Sequence, residues 1–121
     1  MTTDRILRIV SLSILFLRPP SAFPGTGREM RFIATATALH GKTAMGTPTH
    51  TGIVAADPAI LPLGSRIRVS HAGAYSGTYI VQDTGTKITG RKIDLFLHSR
   101  REAGHFGRKT PVVRVLRRAR K

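Results

Sequence analysis

The sequence predicts a mainly β fold: a small closed barrel of six short strands, with one short helix before the last strand. Two observations carry that prediction. Apolar residues come in short runs or strict alternation rather than at helical spacing. Glycine and proline are plentiful, 12 and 7 of 121 residues, so the chain is punctuated by turns. Short strands of this kind are stable when every edge is paired, which is what closing a barrel achieves.

The elements follow in order. RFIATATA (31–38), rich in Ile, Phe and Thr, reads as a first strand. Residues 39–51 form a loop of Gly, Thr, His and Pro. GIVAA (52–56) is a short apolar run suited to a buried strand. Asp57-Pro58 turns the chain, and Pro58 holds Asp57 extended. SRIRVS (65–70) alternates Ile67 and Val69 with Arg66 and Arg68, the pattern of a half-buried strand. HAGAYSG is a hairpin-like link to TYIVQ (78–82), which ends at Asp83-Thr84-Gly85. RKIDLFL (91–97) places Ile93, Leu95 and Leu97 on one face and Asp94, Phe96 and His98 on the other. Ser99 and Glu102 have capping-box spacing for a short helix, and Gly107 is its stop. TPVVRVLR closes the domain.

At 121 residues the chain fits one domain, spanning 31–121 and ending in a basic tail. With no cysteine, disulfides and cysteine-based zinc sites are excluded. The net charge of +14 draws nucleic acid, anionic lipid or acidic polymers alike. Low aromatic content and the lack of a base-stacking motif argue against nucleic acid. The five histidines, His40, His50, His71, His98 and His105, form no compact ligand pattern, so neither a metal nor a cofactor is expected.

Residues 1–30 are signal-like or disordered. Arg5 and Arg8 precede an apolar stretch, Ile9–Leu17, too short to span a bilayer, which takes roughly 20 residues. A cleaved signal, a short membrane anchor and a start at Met30 are the three alternatives.

From Met30 onward there are four acidic side chains. Glu102 lies in a polar segment, as a helix cap. Asp57, Asp83 and Asp94 sit inside apolar, glycine-rich blocks: GIVAADP, YIVQDTG and KIDLFL. Carboxylates so placed have tunable ionisation, and glycosidic chemistry runs on such groups. Asp94, between Ile93 and Leu95 with Phe96 on its face, is the best candidate for an acid held protonated near neutral pH. Asp83 is the candidate second carboxylate, and its alternative is an Asp-Thr-Gly turn accepting backbone N–H bonds. Asp57 has the same two readings, with the Asp-Pro corner favouring structure.

The ordered blocks ATAT, TAMGTPTHTGIVAADPAILPLG, VQDTGTKITG, RKIDLFL and EAGHFGRKTPVVRVL resemble the three-aspartate, or 3D, domain family over roughly residues 32–116. The resemblance implies a six-stranded double-psi β-barrel similar to the catalytic barrel of membrane-bound lytic transglycosylase A. It also implies cleavage of peptidoglycan between N-acetylmuramic acid and N-acetylglucosamine, leaving a 1,6-anhydro sugar, with Asp94 as the acid. The alternative is a non-catalytic module that binds or remodels the wall. On this resemblance the partner is the peptidoglycan glycan strand. From its N-terminal segment the protein is expected to be exported to the periplasm or envelope and to touch membrane only through that segment, and a monomer is expected. Thr47, Thr84 and Lys87 are candidates for substrate binding. The chain departs from the family pattern at Thr37 and Ala38, where an aromatic is usual, at Thr51, usually Pro, and at Gly85-Thr86-Lys87, where a second glycine is common.

Overall fold

The computed structural model describes residues 28–119. The signal-like reading of the N-terminal segment therefore lies, up to residue 27, outside the described residues, as do Arg120 and Lys121 of the basic tail.

The described residues hold seven strands and one α-helix, β1 (Met30–Arg31), β2 (Ile33–Thr37), β3 (Ile53–Ala56), β4 (Arg66–Ser70), β5 (Gly77–Asp83), β6 (Lys92–Phe96), α1 (Arg100–Phe106) and β7 (Val112–Arg117), with a short 3-10 turn at Gly73–Tyr75. They form a single sheet in the order β1-β7-β4-β5-β3-β6-β2. The seventh strand, one more than predicted, comes from a break at Phe32. The first strand pairs antiparallel with β7 on one side of that residue and parallel with β6 on the other. At the break the Phe32 N–H donates to Pro111 O over 3.1 Å, and Ala34 and Lys109 exchange backbone bonds of 2.8 and 3.0 Å. One continuous stretch thus belongs to both ends of the sheet and curls it into a nearly closed barrel. The predicted architecture is observed, with its helix ahead of the last strand.

Alternation explains which side chains fill the barrel. Ile67 and Val69 of β4 are at most 1 % exposed, whereas Arg66 and Arg68 between them face solvent. Ala34, Val54, Ala56, Val81, Ile93, Leu95 and Val113 are fully buried in the same core. Burying a Val, Leu or Ile side chain contributes roughly 1.5–3 kcal/mol, which accounts for much of the stability of so small a domain. β3 is buried at all four positions. Its inward residues fill the barrel, and Ile53 and Ala55 on the opposite face are covered as well.

Helix α1 packs against β2 and buries Phe106, which meets the Tyr75 ring edge-on at 5.1 Å. Ser99 accepts from the Glu102 amide over 3.1 Å, as the capping spacing predicts. The return bond departs by one residue: Glu102 Oε1 accepts from the amide of His98, not of Ser99. Gly107 ends the helix with φ 65°, a left-handed conformation that glycine adopts without a Cβ clash.

Candidate functional site

Hydrogen-bonding register places the chemistry. Asp94, in the middle of β6, stands opposite Thr35 of β2 on one side and Ala55 of β3 on the other. Ala55 in turn stands opposite Asp83 of β5. Residues paired across strands project from the same face, so Thr35, Asp94, Ala55 and Asp83 form one row across four strands. The core side chains Val54, Val81, Ile93 and Leu95 project from the other face, so the row lies on the outside of the barrel wall.

A bulge builds this row. Val54 pairs with Val81, but Ala55 pairs with Asp83, so the register shifts by one residue between them. Under simple alternation Asp83 would follow Val81 to the inside. The extra residue, Gln82, turns Asp83 outward, the re-aiming of a side chain for which bulges near functional sites are known.

The environment of Asp94 differs from those of the other two aspartates. It is half-buried, and its Oδ1 accepts from the Thr35 hydroxyl over 2.9 Å. Burial pushes its carboxyl above the usual carboxylate range. The Thr35 bond and the Lys92 charge oppose that, and the Asp83 charge adds a smaller upward push. Asp83 is therefore a minor influence on the ionisation of Asp94. Strands two apart lie roughly 9.6 Å from each other, which fits a distant electrostatic neighbour rather than a shared proton.

Asp83 holds down a loop. Its Oδ1 accepts from the amides of Ala44 and Thr84, each over 2.9 Å. Met45 N–H donates to Gln82 O over 3.2 Å, so residues 43–47 are fixed against the end of β5. Thr47 completes the anchorage: its hydroxyl donates to Gln82 Oε1 and meets the Thr43 hydroxyl, each at 2.8 Å. Its polar atoms are thus engaged inside the loop. Thr84 is partly exposed beside Asp83, and Lys87 is exposed on the following loop.

Asp57 is bound by backbone at both oxygens. Oδ1 accepts from Ala59 N–H over 2.9 Å and Oδ2 from Gly90 N–H over 2.8 Å. These two bonds hold its carboxyl below the usual range, the Gly90 bond more than the Ala59 bond. Asp57 so ties the turn after β3 to the loop before β6. It does not belong to the row formed by Asp83 and Asp94.

Farther along β6 on the same outer face, Phe96 borders a hollow of about 310 Å³ with Leu39, His40, His50 and His98. A neighbouring hollow of about 540 Å³ is lined by residues 36–40 with Arg100 and Ala103. Neither includes Asp94 in its lining, so these two hollows adjoin the carboxylate row rather than contain it. Leu39 is 74 % exposed at their shared edge, an unusual position for leucine. Among the described residues no three His, Asp or Glu side chains gather closely enough to hold a metal ion.

Two participants escaped the sequence reading. Thr35 lies 59 positions from Asp94 and meets it only through the parallel pairing of β2 with β6. Ala55 matters as the small residue between two acids, and nothing in its local sequence marks it.

Comparison with known proteins agrees with the barrel fold. A family model described as 3D domain matches residues 52–117. The chain is 37% identical over 82 residues to the cell wall-binding protein YocH of Bacillus subtilis (strain 168), covering 64% of this chain and 27% of that protein. It is 34% identical over 100 residues to the putative cell wall shaping protein YabE of the same organism, covering 75% of this chain and 24% of that one. It thus spans about a quarter of the length of these two relatives. Among solved structures, E. coli MltA with bound chitohexaose superposes with a TM-score of 0.54 at 22% identity, over 66% of this chain and 28% of that chain. Another MltA crystal structure, described as revealing a unique lytic transglycosylase fold, gives 0.51 at 23% identity, again over 66% and 28%. At these identities the likeness is one of fold.

Proposed function

The chain belongs to the 3D domain family, and from that premise we propose that it is a lytic transglycosylase-like enzyme of peptidoglycan, working at the cell envelope with Asp94 as its acid and base. The observation that carries this is the half-buried carboxyl of Asp94, held above the usual range at the centre of an outward-facing row.

The chemistry needs one group used twice. Protonated Asp94 gives its proton to the oxygen bridging N-acetylmuramic acid and N-acetylglucosamine, and that bond breaks. The carboxylate left behind takes the proton of the muramyl C6 hydroxyl. The freed oxygen closes on the anomeric carbon as a 1,6-anhydro ring, and Asp94 regains its proton. Burial favours the protonated form for the first step, and the Thr35 hydroxyl favours the carboxylate formed in it. Asp83, two strands away, offers negative charge to the positive anomeric centre and fixes the 43–47 loop beside it. Ala55 keeps the space between the carboxylates small-sided. Partly exposed Thr84 and exposed Lys87 would meet polar sugar groups. Asp57 serves the frame, through its two amide bonds.

A non-catalytic wall-binding role is the second reading, supported by the names of the two curated relatives. One experiment separates them. Purified full-length protein and its Asp94→Asn variant are incubated with sacculi, and soluble and pelleted fractions are analysed. The enzyme releases anhydro-muropeptides, and the variant pellets with sacculi but releases roughly 10²–10⁴-fold less. Wild-type protein that pellets yet releases nothing leaves wall binding as the function.

A further inference from the structure

The barrel carries a second distinctive surface, on the wall opposite Asp94. Counting the split first strand as one, the ring runs β2-β7-β4-β5-β3-β6. In that ring β4 is diametrically across from β6, and β7 from β3. The wall formed by β4 and β7 is thus the back of the wall that carries Asp94.

Arginines face one another on this back wall. Arg68 stands directly opposite Arg114, and Arg66 opposite Arg117. Their neighbours Ile67, Val69, Val113 and Val115 point into the core, so the arginines project outward. Like charges directly opposed across strands are destabilising, yet the fold places two such pairs side by side. Residues two apart on a strand are roughly 7 Å apart, and facing residues roughly 5 Å. Both spacings lie within the screening length of about 8 Å at physiological salt, so the four charges act as one patch.

Little compensates them. Glu29 reaches Arg114 over 3.1 Å, the one salt bridge among the described residues. The other described carboxylates are engaged elsewhere: Asp57, Asp83 and Glu102 by backbone amides, and Asp94 by Thr35. Arg66, Arg68 and Arg117 make no side-chain hydrogen bond among the described residues. Arg31, on β1 next to β7, and Arg118, just past its end, flank the patch, their guanidinium groups donating to Thr110 O and Ile60 O.

We propose that the β4–β7 wall docks on an anionic lipid surface, with the Asp94 face turned away from the bilayer. Charge complementarity and shape together select this occupant. Guanidinium groups pair with phosphate oxygens in a planar fork. The wall is the outer, convex side of a barrel, and neither hollow described above is lined by β4 or β7 residues. A groove would suit a linear polyanion; a broad cationic wall suits a surface. The buried Tyr79 is the sole aromatic on β4, β5 or β7, so no ring is displayed there for stacking on nucleic-acid bases. Docking is independent of whether the opposite face cleaves glycan.

The test uses the full chain with phosphatidylcholine vesicles, with and without phosphatidylglycerol, read by co-sedimentation. Wild type prefers the anionic vesicles, and salt weakens the preference. Replacing Arg66, Arg68 and Arg117 together with Gln lowers partitioning onto anionic vesicles roughly 100-fold, while the corresponding Lys replacements keep most of it. An equal loss of charge elsewhere, at Arg91, Arg100 and Arg101, leaves most of the binding intact. Relieving the opposed charges raises the melting temperature of the Gln variant, so its lost binding is not unfolding. The proposal is overturned if wild type shows no anionic preference or if the two neutralised variants lose binding equally. It is also overturned if the Gln variant loses affinity for duplex DNA or a glycerol-phosphate polymer while vesicle binding is unchanged.

Discussion

The hydroxyl of Thr35 donates to Oδ1 of Asp94 over 2.9 Å, joining β2 to β6 through side chains that already face each other in the strand register. This bond favours the charged form of a carboxyl that burial pushes the other way. Thr35→Val removes it while keeping the shape of the side chain. The Asp94 carboxyl then titrates at higher pH, and under the proposed function the alkaline limb of muropeptide release moves up with it. NMR titration and a pH series of muropeptide release check both. A limb that stays still while Asp94 shifts removes Asp94 from the role of acid.

Asp94→Asn is expected to stabilise the fold near neutral pH. The carboxyl titrates above its ordinary value of 3.8 in the folded chain, so the folded state binds the proton more tightly. Asp94 therefore favours folding in its protonated form, and this advantage disappears as pH rises through the folded value. The variant cannot ionise and escapes that loss. Thermal melts across pH show it more stable than wild type at pH 7, with the gap closing towards pH 3.8 and below.

Asp57 has the opposite sign. Its carboxyl titrates below 3.8 in the folded chain, so its two amide bonds support the fold above that pH and fade as pH falls through the lower folded value. Asp57→Ala lowers the melting temperature at neutral pH, and the difference from wild type shrinks in strong acid. An unchanged melt at pH 7 contradicts the bracing role.

Gly90 supplies one of those amides at φ 72°. Gly90→Ala strains a left-handed position and destabilises by about 1 kcal/mol or more. Denaturant unfolding measures this directly. Combined with Asp57→Ala it costs less than the two single changes summed, because the turn at residue 90, released from the Asp57 carboxyl, is free to relax the strain.

Asp83→Ala frees the 43–47 loop. Amide exchange at Ala44 and Thr84 accelerates by roughly tenfold or more, the loss of about 1.5 kcal/mol expected for bonds to a charged acceptor. Protection at Val81, inside the barrel, is retained. Loss of protection throughout contradicts a role confined to the loop.

Much of this molecule is written in local pattern. Alternation at Arg66–Ser70 and the apolar run at Ile53–Ala56 suffice to identify β4 and β3, because burial on one face or both leaves a trace in sequence. Ser99 and Glu102 announce the helix through capping chemistry. Pairing leaves no such trace. The first strand breaks at Phe32 because it has two different partners, and neither partner adjoins it in the chain. The bulge that turns Asp83 outward depends on register with β3, which alternation within β5 cannot reveal. The Thr35–Asp94 bond depends on parallel pairing across most of the domain. Position in the row was legible for Asp94, with its flanking Ile93 and Leu95, but not for its neighbours on either side.

The meeting of the first strand with β7 at Phe32 bears on synthesis. A ribosome delivers β1 early and β7 last among the described strands, so the seam waits until residues as late as Val113 have cleared the exit tunnel. Until then the edge of β6 can pair with the early strand, but the other side of that strand has no neighbour. Nascent chains stalled before residue 109 remain open sheets, vulnerable to edge-to-edge aggregation and to proteases.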